Sequence, residues 1–244
     1  MTEPRTDVPT ATQQPTVEEA PIVRSGYFYW VTKVVLTPIL TVLFRPKIEG
    51  ITNIPKRGPA LLACNHTSYM DWLFLPLVVR TRRISFLAKM EYFTRKGLRG
   101  RAQAYFFSAT GQVPIDRAGA HASQGALLTA TRLLREGRLI GVFPEGTRTR
   151  DGRLNRGRTG VARMAAETGV TVIPCATVGT FEIAPPGTRI PHPKKIKVRF
   201  GSPMPAIENN PTAEQLREWT DELMARICVL SEQEYSGVDA VGKR

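Results

Sequence analysis

The chain has 244 residues, with 34 lysines and arginines against 21 aspartates and glutamates, and a net charge of +13. Its length suits one α/β domain or two small ones, and a hydrophobic content of 42% excludes an intrinsically disordered chain. Three cysteines without CxxC or zinc-ligand spacing exclude a disulfide framework and indicate a reducing compartment.

The positive charge is concentrated in the middle of the chain. Residues 45–205 contain 27 lysines and arginines but 9 acidic residues. Such an excess indicates a polyanionic partner: nucleic acid, an anionic membrane or a phosphorylated substrate. Because the basic clusters carry no recognised nucleic-acid-binding motif, nucleic-acid binding is the disfavoured alternative and we expect no nucleic-acid partner.

The first 45 residues divide into a polar and an apolar part. Residues 1–21 lack a hydrophobic run and are predicted to be a disordered tail, not a signal peptide. Residues 22–45 contain the most apolar stretch, interrupted by Lys33 and Pro38. Its aromatic start and basic flanks predict a helix or helical hairpin that lies in one membrane leaflet, with a buried core helix as the alternative.

Short apolar runs alternate with helical patterns between residues 46 and 231. This alternation predicts a single α/β domain with a central mixed sheet flanked by helices, followed by a flexible tail at 232–244. Thr212 and Gln215 form the pattern of a capping box at the start of the last helix. Strands are predicted at 60–64, 84–88, 139–143, 171–178 and 196–200, and helices at 99–109, 122–136, 157–168 and 212–230.

The first candidate site is Asn65-His66-x4-Asp71, which follows the strand at 60–64. Active sites of α/β sheets lie where strands end, and histidine suits proton transfer near neutral pH. Asp71 could hold one ring nitrogen of His66 and fix its tautomer, which leaves the other nitrogen as a general base. A structural histidine is the alternative. Neither His121 nor His192 has metal-ligand spacing to His66, so no metal site is predicted.

Three further strand ends carry candidate residues. At the second, Gly146 permits close approach of a ligand, Thr147 offers a hydroxyl and Arg148 a phosphate-binding fork. Glu145 there would orient an arginine or receive a ligand hydroxyl, and a surface turn with an ion pair is the alternative. At the third, Arg117 is a candidate phosphate ligand and Asp116 its partner. The fourth comprises Val172, Ile173 and Pro174, is apolar, and is typical of a buried strand.

Together these blocks resemble the glycerolipid acyltransferases, the family of bacterial 1-acylglycerol-3-phosphate acyltransferases. Asn65-His66-x4-Asp71 resembles the family's NHx4D motif, and residues 143–148 (FPEGTR) resemble its FPEGTRS motif. Residues 111–117 are similar to its GxxxxxR block and residues 172–174 to a short apolar block. Lys89 fits a KxEL-like segment between the blocks.

The resemblance implies that an acyl group moves from acyl-CoA or acyl carrier protein, a co-substrate rather than a bound cofactor, to the free hydroxyl of a lysophospholipid. His66 is then the base and Asp71 its orienter, and no acyl-enzyme forms. Oxyanion donors are expected near 172–174 or in the His66 loop. A membrane-associated enzyme on the cytoplasmic face of the inner membrane is implied, with glycerol-3-phosphate, another lysophospholipid or a glycolipid as alternative acceptors. The implied substrate-binding residues are Asn65, Lys89, Arg117, Glu145, Gly146, Thr147 and Arg148.

Overall fold

The computed structural model of the chain describes residues 26–115, 122–185, 187–188, 190–208 and 210–239. The tail predicted at 1–21 and the candidate phosphate ligand Arg117 with its partner Asp116 lie outside these residues.

A seven-stranded sheet forms the centre of the molecule, in the order β1-β8-β7-β2-β5-β3-β4. Neighbouring strands are parallel except β7 and β8, which are antiparallel. The predicted α/β domain with a central mixed sheet is therefore confirmed. Within the described residues the strands are β1 (Lys47–Glu49), β2 (Ala60–Cys64), β3 (Ile84–Lys89), β4 (Gln112–Ile115), β5 (Leu139–Val142), β6 (Leu154–Arg156), β7 (Val172–Val178), β8 (Lys197–Phe200) and β9 (Tyr235–Asp239).

Helices cover both faces of this sheet. Alternate side chains of β2 point to opposite faces, and all of them are buried. Leu62 and Cys64 belong to one core, to which α1 and α2 contribute, whereas Leu61 and Ala63 belong to the other, with α5, α6 and α8. The α-helices in the part of the chain that the structure describes are α1 (Gly26–Phe44), α2 (Asp71–Val78), α3 (Glu91–Thr94), α4 (Gly97–Ala109), α5 (Ala122–Arg135), α6 (Gly160–Thr168), α7 (Thr180–Ile183) and α8 (Ala213–Ser231).

The capping box predicted at the last helix is confirmed. The Gln215 backbone N–H donates to Thr212 Oγ1 over 3.2 Å, and the Thr212 N–H donates to Gln215 Oε1 over 2.8 Å. The apolar segment near the start is one continuous helix, not a hairpin, and Pro38 lies inside it. By length and composition Tyr27–Phe44 could cross a membrane, and 17% of this segment is buried.

The flexible tail predicted at 232–244 is wrong for residues Tyr235–Asp239, which form β9 and pair in parallel with β6. Glu232 adopts a left-handed conformation (φ 60°) that ends α8 and turns the chain back. The Leu154 N–H then donates to the Glu234 carbonyl over 2.9 Å. The segment was missed because it is short and polar, and its partner strand lies far away in sequence.

Candidate active site

The four strands β2, β5, β3 and β4 run in parallel, so their carboxyl ends lie at one edge of the sheet. His66 follows β2 by two residues, and Lys89 is the last residue of β3. The residues from Phe143 to Arg148 follow β5 directly. This edge therefore gathers the polar blocks that the sequence spreads over more than 80 positions.

His66 and Asp71 form the predicted pair. The Nδ1 atom of His66 lies 3.0 Å from Asp71 Oδ2. Asp71 is fully buried as the first residue of α2, whereas 17% of the His66 side chain is exposed. Because a carboxylate oxygen accepts, the proton of a neutral His66 ring sits on Nδ1. Nε2, which no hydrogen bond within the described residues engages, is then free to accept a proton.

Asp71 is held rigidly by its other contacts. The backbone N–H groups of Thr67 and Ser68 both donate to its Oδ2 atom over 2.8 Å, and the Thr177 hydroxyl donates to Oδ1 over 3.1 Å. Thr67 and Ser68 immediately precede α2, and the first turn of a helix also favours the negative charge of Asp71. The ring of His66 stacks on Phe143 at a centroid distance of 3.9 Å. Both members of the pair are thus fixed before any substrate binds.

Glu145, one of the predicted substrate-binding residues, stabilises the His66 loop through both of its carboxylate oxygens. The Oε1 atom accepts the His66 backbone N–H over 2.7 Å, and Oε2 accepts both the backbone and side-chain N–H groups of Asn155 over 2.9 Å. The carbonyl of His66 accepts the Thr149 N–H over 2.9 Å. The two loops are therefore joined through both the backbone N–H and the backbone carbonyl of His66.

Burial raises the pKa of Glu145 to about 7, although the N–H donors of Asn155 and His66 lower it. In an unfolded chain this carboxyl titrates near 4.5. Between pH 4.5 and about pH 7, unfolding releases a proton from Glu145. Its contribution to the free energy of unfolding therefore falls as pH rises through this range, and levels off once the folded carboxyl is ionised.

We expect this pH dependence to disappear in Glu145→Gln. Between pH 5 and pH 8, the free energy of unfolding of the wild type should fall by about 2–3 kcal/mol relative to that of the variant. Urea titrations at both pH values measure the difference. Glu234→Gln, at an exposed position, is the matched control and should track the wild type. A constant difference between wild type and Glu145→Gln would contradict the raised pKa.

Asn65, another of the predicted substrate-binding residues, makes structural contacts. It is fully buried, and its side chain continues the pairing of β2 with β7 beyond Cys64. Its Oδ1 atom accepts the Thr177 N–H over 2.8 Å, and its Nδ2 atom donates to the Thr177 carbonyl over 3.1 Å. The amide thus substitutes for a backbone peptide group.

Val172, Ile173 and Pro174 are one of the two predicted locations of oxyanion donors. They lie in the first half of β7, whereas Thr177, near the end of that strand, contacts Asp71. The Val172 N–H donates to the Met204 carbonyl, and proline has no N–H. In the other predicted location, the His66 loop, the N–H groups of His66, Thr67 and Ser68 are all taken by carboxylates.

Cationic side chains surround the same edge of the sheet. Lys89 and Arg148 are exposed, and neither forms an ion pair with any residue that the structure describes. Gly146 has a φ of 75°, and a Cβ there would come within 2.9 Å of Arg158 Nε. The glycine is therefore required both for the turn and for the approach of Arg158. Thr147 lies between these groups and is half-buried.

Sequence reasoning missed several residues of the site. Thr177 lies near the end of β7, and Thr180 follows that strand. Asn155 lies in β6, and Gln233 precedes β9. The side chain of Thr180 meets that of Thr67 over 2.7 Å, and Gln233 Oε1 accepts from Asn65 Nδ2 over 2.7 Å. No local motif marks these residues, because each contacts the His66 loop from a distant part of the chain.

Comparison with known proteins matches the chain to one family and to several of its members. A model of the family described as Acyltransferase matches residues 45–178. The chain is 28% identical over 195 residues to the 1-acyl-sn-glycerol-3-phosphate acyltransferase of Bacillus subtilis, covering 79% of this chain and 91% of that protein. It is 30% identical over 166 residues to the chloroplastic LPAT1 enzyme of Arabidopsis thaliana, but this match spans only 45% of the plant protein and 68% of this chain.

The fold likeness extends over most of the chain. The crystal structure of the 1-acyl-sn-glycerophosphate acyltransferase PlsC from Thermotoga maritima is 28% identical, with a TM-score of 0.64. The match covers 83% of this chain and 78% of that one.

Proposed function

Because the chain belongs to the Acyltransferase family, we propose that it transfers an acyl chain from a thioester to the sn-2 hydroxyl of 1-acyl-sn-glycerol-3-phosphate, which forms phosphatidic acid. The donor is acyl-CoA or acyl carrier protein. The observation that carries this proposal is the 3.0 Å contact of His66 Nδ1 with buried Asp71, which leaves Nε2 open at the sheet edge. The named activity of the bacterial relative supports the choice of acceptor.

The proposed reaction is a direct attack. His66 Nε2 takes the proton of the acceptor hydroxyl while its oxygen bonds to the thioester carbonyl carbon. The tetrahedral intermediate then collapses, the carbon–sulfur bond breaks, and the thiolate takes the proton from the imidazolium. Asp71 stabilises the imidazolium between these two steps. Ser68 is not a nucleophile in this scheme, because it is buried and its hydroxyl donates to the Ala184 carbonyl.

We assign the phosphate of the acceptor to the cations at the sheet edge: Arg148, Lys89 and, from the sequence, Arg117. An arginine fork matches phosphate oxygens bidentately. Gly146 and Thr147 line the approach, because they precede Arg148 in the loop that is joined to His66. This arrangement would bring the glycerol hydroxyl and the base together.

The phosphate role of Arg148 has a specific consequence. In Arg148→Ala the KM for the lysophospholipid should rise about 10- to 100-fold with kcat little changed, since charged hydrogen bonds contribute about 1.5–3 kcal/mol. Initial rates at varied acceptor concentration measure this effect. Arg150→Ala, an exposed position on the same loop, is the matched control and should leave KM unchanged. An unchanged KM in Arg148→Ala would exclude the assignment.

A groove between α1 and α2 could hold an acyl chain. The groove is open to solvent and lined almost wholly by apolar atoms. Trp72, one of its lining residues, directly follows Asp71 in the chain. The other main lining residues are Tyr29, Leu36, Leu40, Leu73 and Leu77.

We also propose a docking surface for an anionic membrane on α1 and α4, at the cytoplasmic face of the inner membrane. The rings of Phe28 and Tyr105 join the two helices at 5.3 Å, and Leu98 is 84% exposed. Exposed apolar and basic side chains together favour an anionic interface. The basic residues nearby in sequence are Arg95, Lys96, Arg99 and Arg101. Sedimentation with phosphatidylglycerol but not phosphatidylcholine vesicles is the expected result; equal binding to both would refute this surface.

The proposed reaction is tested by a matrix of acceptors and donors with purified protein in detergent. 1-Acyl-sn-glycerol-3-phosphate should be the best acceptor, and its analogue without phosphate should react poorly. Glycerol-3-phosphate, other lysophospholipids and a glycolipid represent the alternative functions. Paired assays with acyl-CoA and acyl carrier protein identify the donor. Absence of transfer to every acceptor, from either donor, would refute the proposed function.

A further inference from the structure

The segment 232–239, here called the C-terminal strap, lies against the catalytic loops. It follows α8 and lies outside the part matched by the family model, residues 45–178. Glu232 is fixed by an ion pair with Arg199 over 2.7 Å, and the Ser231 hydroxyl accepts the Gln233 N–H over 3.3 Å. The strap therefore leaves α8 in a defined direction, toward β6.

Gln233 is the residue of the strap that reaches the site. Its Oε1 atom accepts from Asn65 Nδ2 over 2.7 Å, and its Nε2 atom donates to the Gly152 carbonyl over 2.6 Å. The side chain thus joins the loop after β2 to the loop before β6. Asn65 directly precedes His66, and it is fully buried. Without Gln233, one of the two Asn65 N–H donors would lose its partner.

A continuous series of hydrogen bonds leads from Asn65 to the base. The side-chain amide of Asn65 accepts the backbone N–H of Thr177 and donates to the backbone carbonyl of Thr177. The hydroxyl of Thr177 donates to Asp71 Oδ1 over 3.1 Å, and Asp71 Oδ2 holds His66 Nδ1. Each member has a fixed geometry, so a shift of Asn65 would be passed to the catalytic pair.

The strap also supports the opposite side of the His66 loop. β9 pairs with β6, and Ser236 Oγ lies 3.4 Å from Asn155 Oδ1. Asn155 donates twice to Glu145, which accepts the His66 N–H. Two separate routes therefore join the strap to His66.

We propose that the C-terminal strap is part of the catalytic apparatus, with Gln233 as a positioning residue that acts on Asp71 through Asn65 and Thr177. This inference rests on the proposed function, because it assumes that His66 and Asp71 perform the chemistry. Residues beyond the matched family region, 45–178, then affect the rate of acyl transfer and do not affect binding of the acceptor.

The test uses Gln233→Met in the full chain, which keeps the side-chain volume and removes both hydrogen bonds. We expect kcat to fall about tenfold, the KM for both substrates to stay within about twofold, and the protein to remain folded at the assay temperature. Circular dichroism melting confirms the last point. Gln124→Met, the same change at an exposed glutamine of α5, is the control and should retain wild-type kcat. Wild-type kcat in Gln233→Met would overturn the proposal.

A double-mutant cycle with Thr177→Val separates positioning from general support of the fold. If Gln233 acts through Thr177, Gln233→Met should cause almost no further loss of kcat in the Thr177→Val background. Additive losses would overturn this route. Wild type and His66→Ala are assayed in parallel. Transfer by the wild type that depends on His66 upholds the proposed function, whatever the Gln233 variants show.

Discussion

Replacement of His66 by alanine should lower kcat by about 10²–10⁴-fold, the usual contribution of a positioned general base. The structure also predicts that this variant folds. The backbone N–H and carbonyl of residue 66 are held by Glu145 and Thr149, and neither contact involves the ring. Asp71 keeps three of its four hydrogen bonds, so its buried charge stays compensated.

The decisive measurement is kcat of purified His66→Ala with saturating donor and acceptor, together with its melting temperature. His192→Ala is the matched control, because His192 is exposed and in a different part of the chain. We expect the control to keep full activity. A folded His66→Ala variant with wild-type turnover would exclude His66 as the base.

Replacement of Asp71 by asparagine should lower kcat by about 10³–10⁴-fold, since a comparable change in another His–Asp pair costs about 10⁴-fold. The asparagine fills the same space, and its carbonyl oxygen can accept the N–H groups of Thr67 and Ser68. The negative charge that stabilises the imidazolium is lost. Because Thr67, Ser68 and His66 all contact the single oxygen Oδ2, the amide oxygen at that position still accepts the Nδ1 proton, and the loss of rate comes from the lost charge.

Asp71→Asn is best compared with Asp221→Asn, which removes a charge from an exposed ion pair on α8. Single-turnover rates isolate the chemical step, and urea titration reports stability. We expect a large loss of rate only in Asp71→Asn. If both variants turned over at the wild-type rate, Asp71 would have no part in orienting the base.

The sequence predicted the contact between His66 and Asp71 because the two residues are five apart and follow a recognisable strand. The central strands were equally visible as continuous apolar runs, since helices cover both faces of the sheet. By contrast, Gln233 lies 168 positions from Asn65, and Thr177 lies 106 positions from Asp71. Contacts at such separations leave no local pattern.

Two blocks could not be placed in full from the sequence, for related reasons. Val172, Ile173 and Pro174 form a recognisable block, but a motif does not indicate which end of a strand faces the site. Glu145 lies in a loop with ligand-binding character, and only the structure shows that its oxygens accept N–H groups from His66 and Asn155.

Direct transfer between two bound substrates, with His66 as the base, predicts that no acyl-enzyme forms. Purified protein is incubated with an acyl-labelled thioester, with and without 1-acyl-sn-glycerol-3-phosphate, and label is followed in lipid and in acid-precipitated, delipidated protein. We predict labelled phosphatidic acid only when acceptor is present and no label bound covalently to the protein. Covalently labelled protein formed without acceptor, or no labelled phosphatidic acid with it, would contradict this claim.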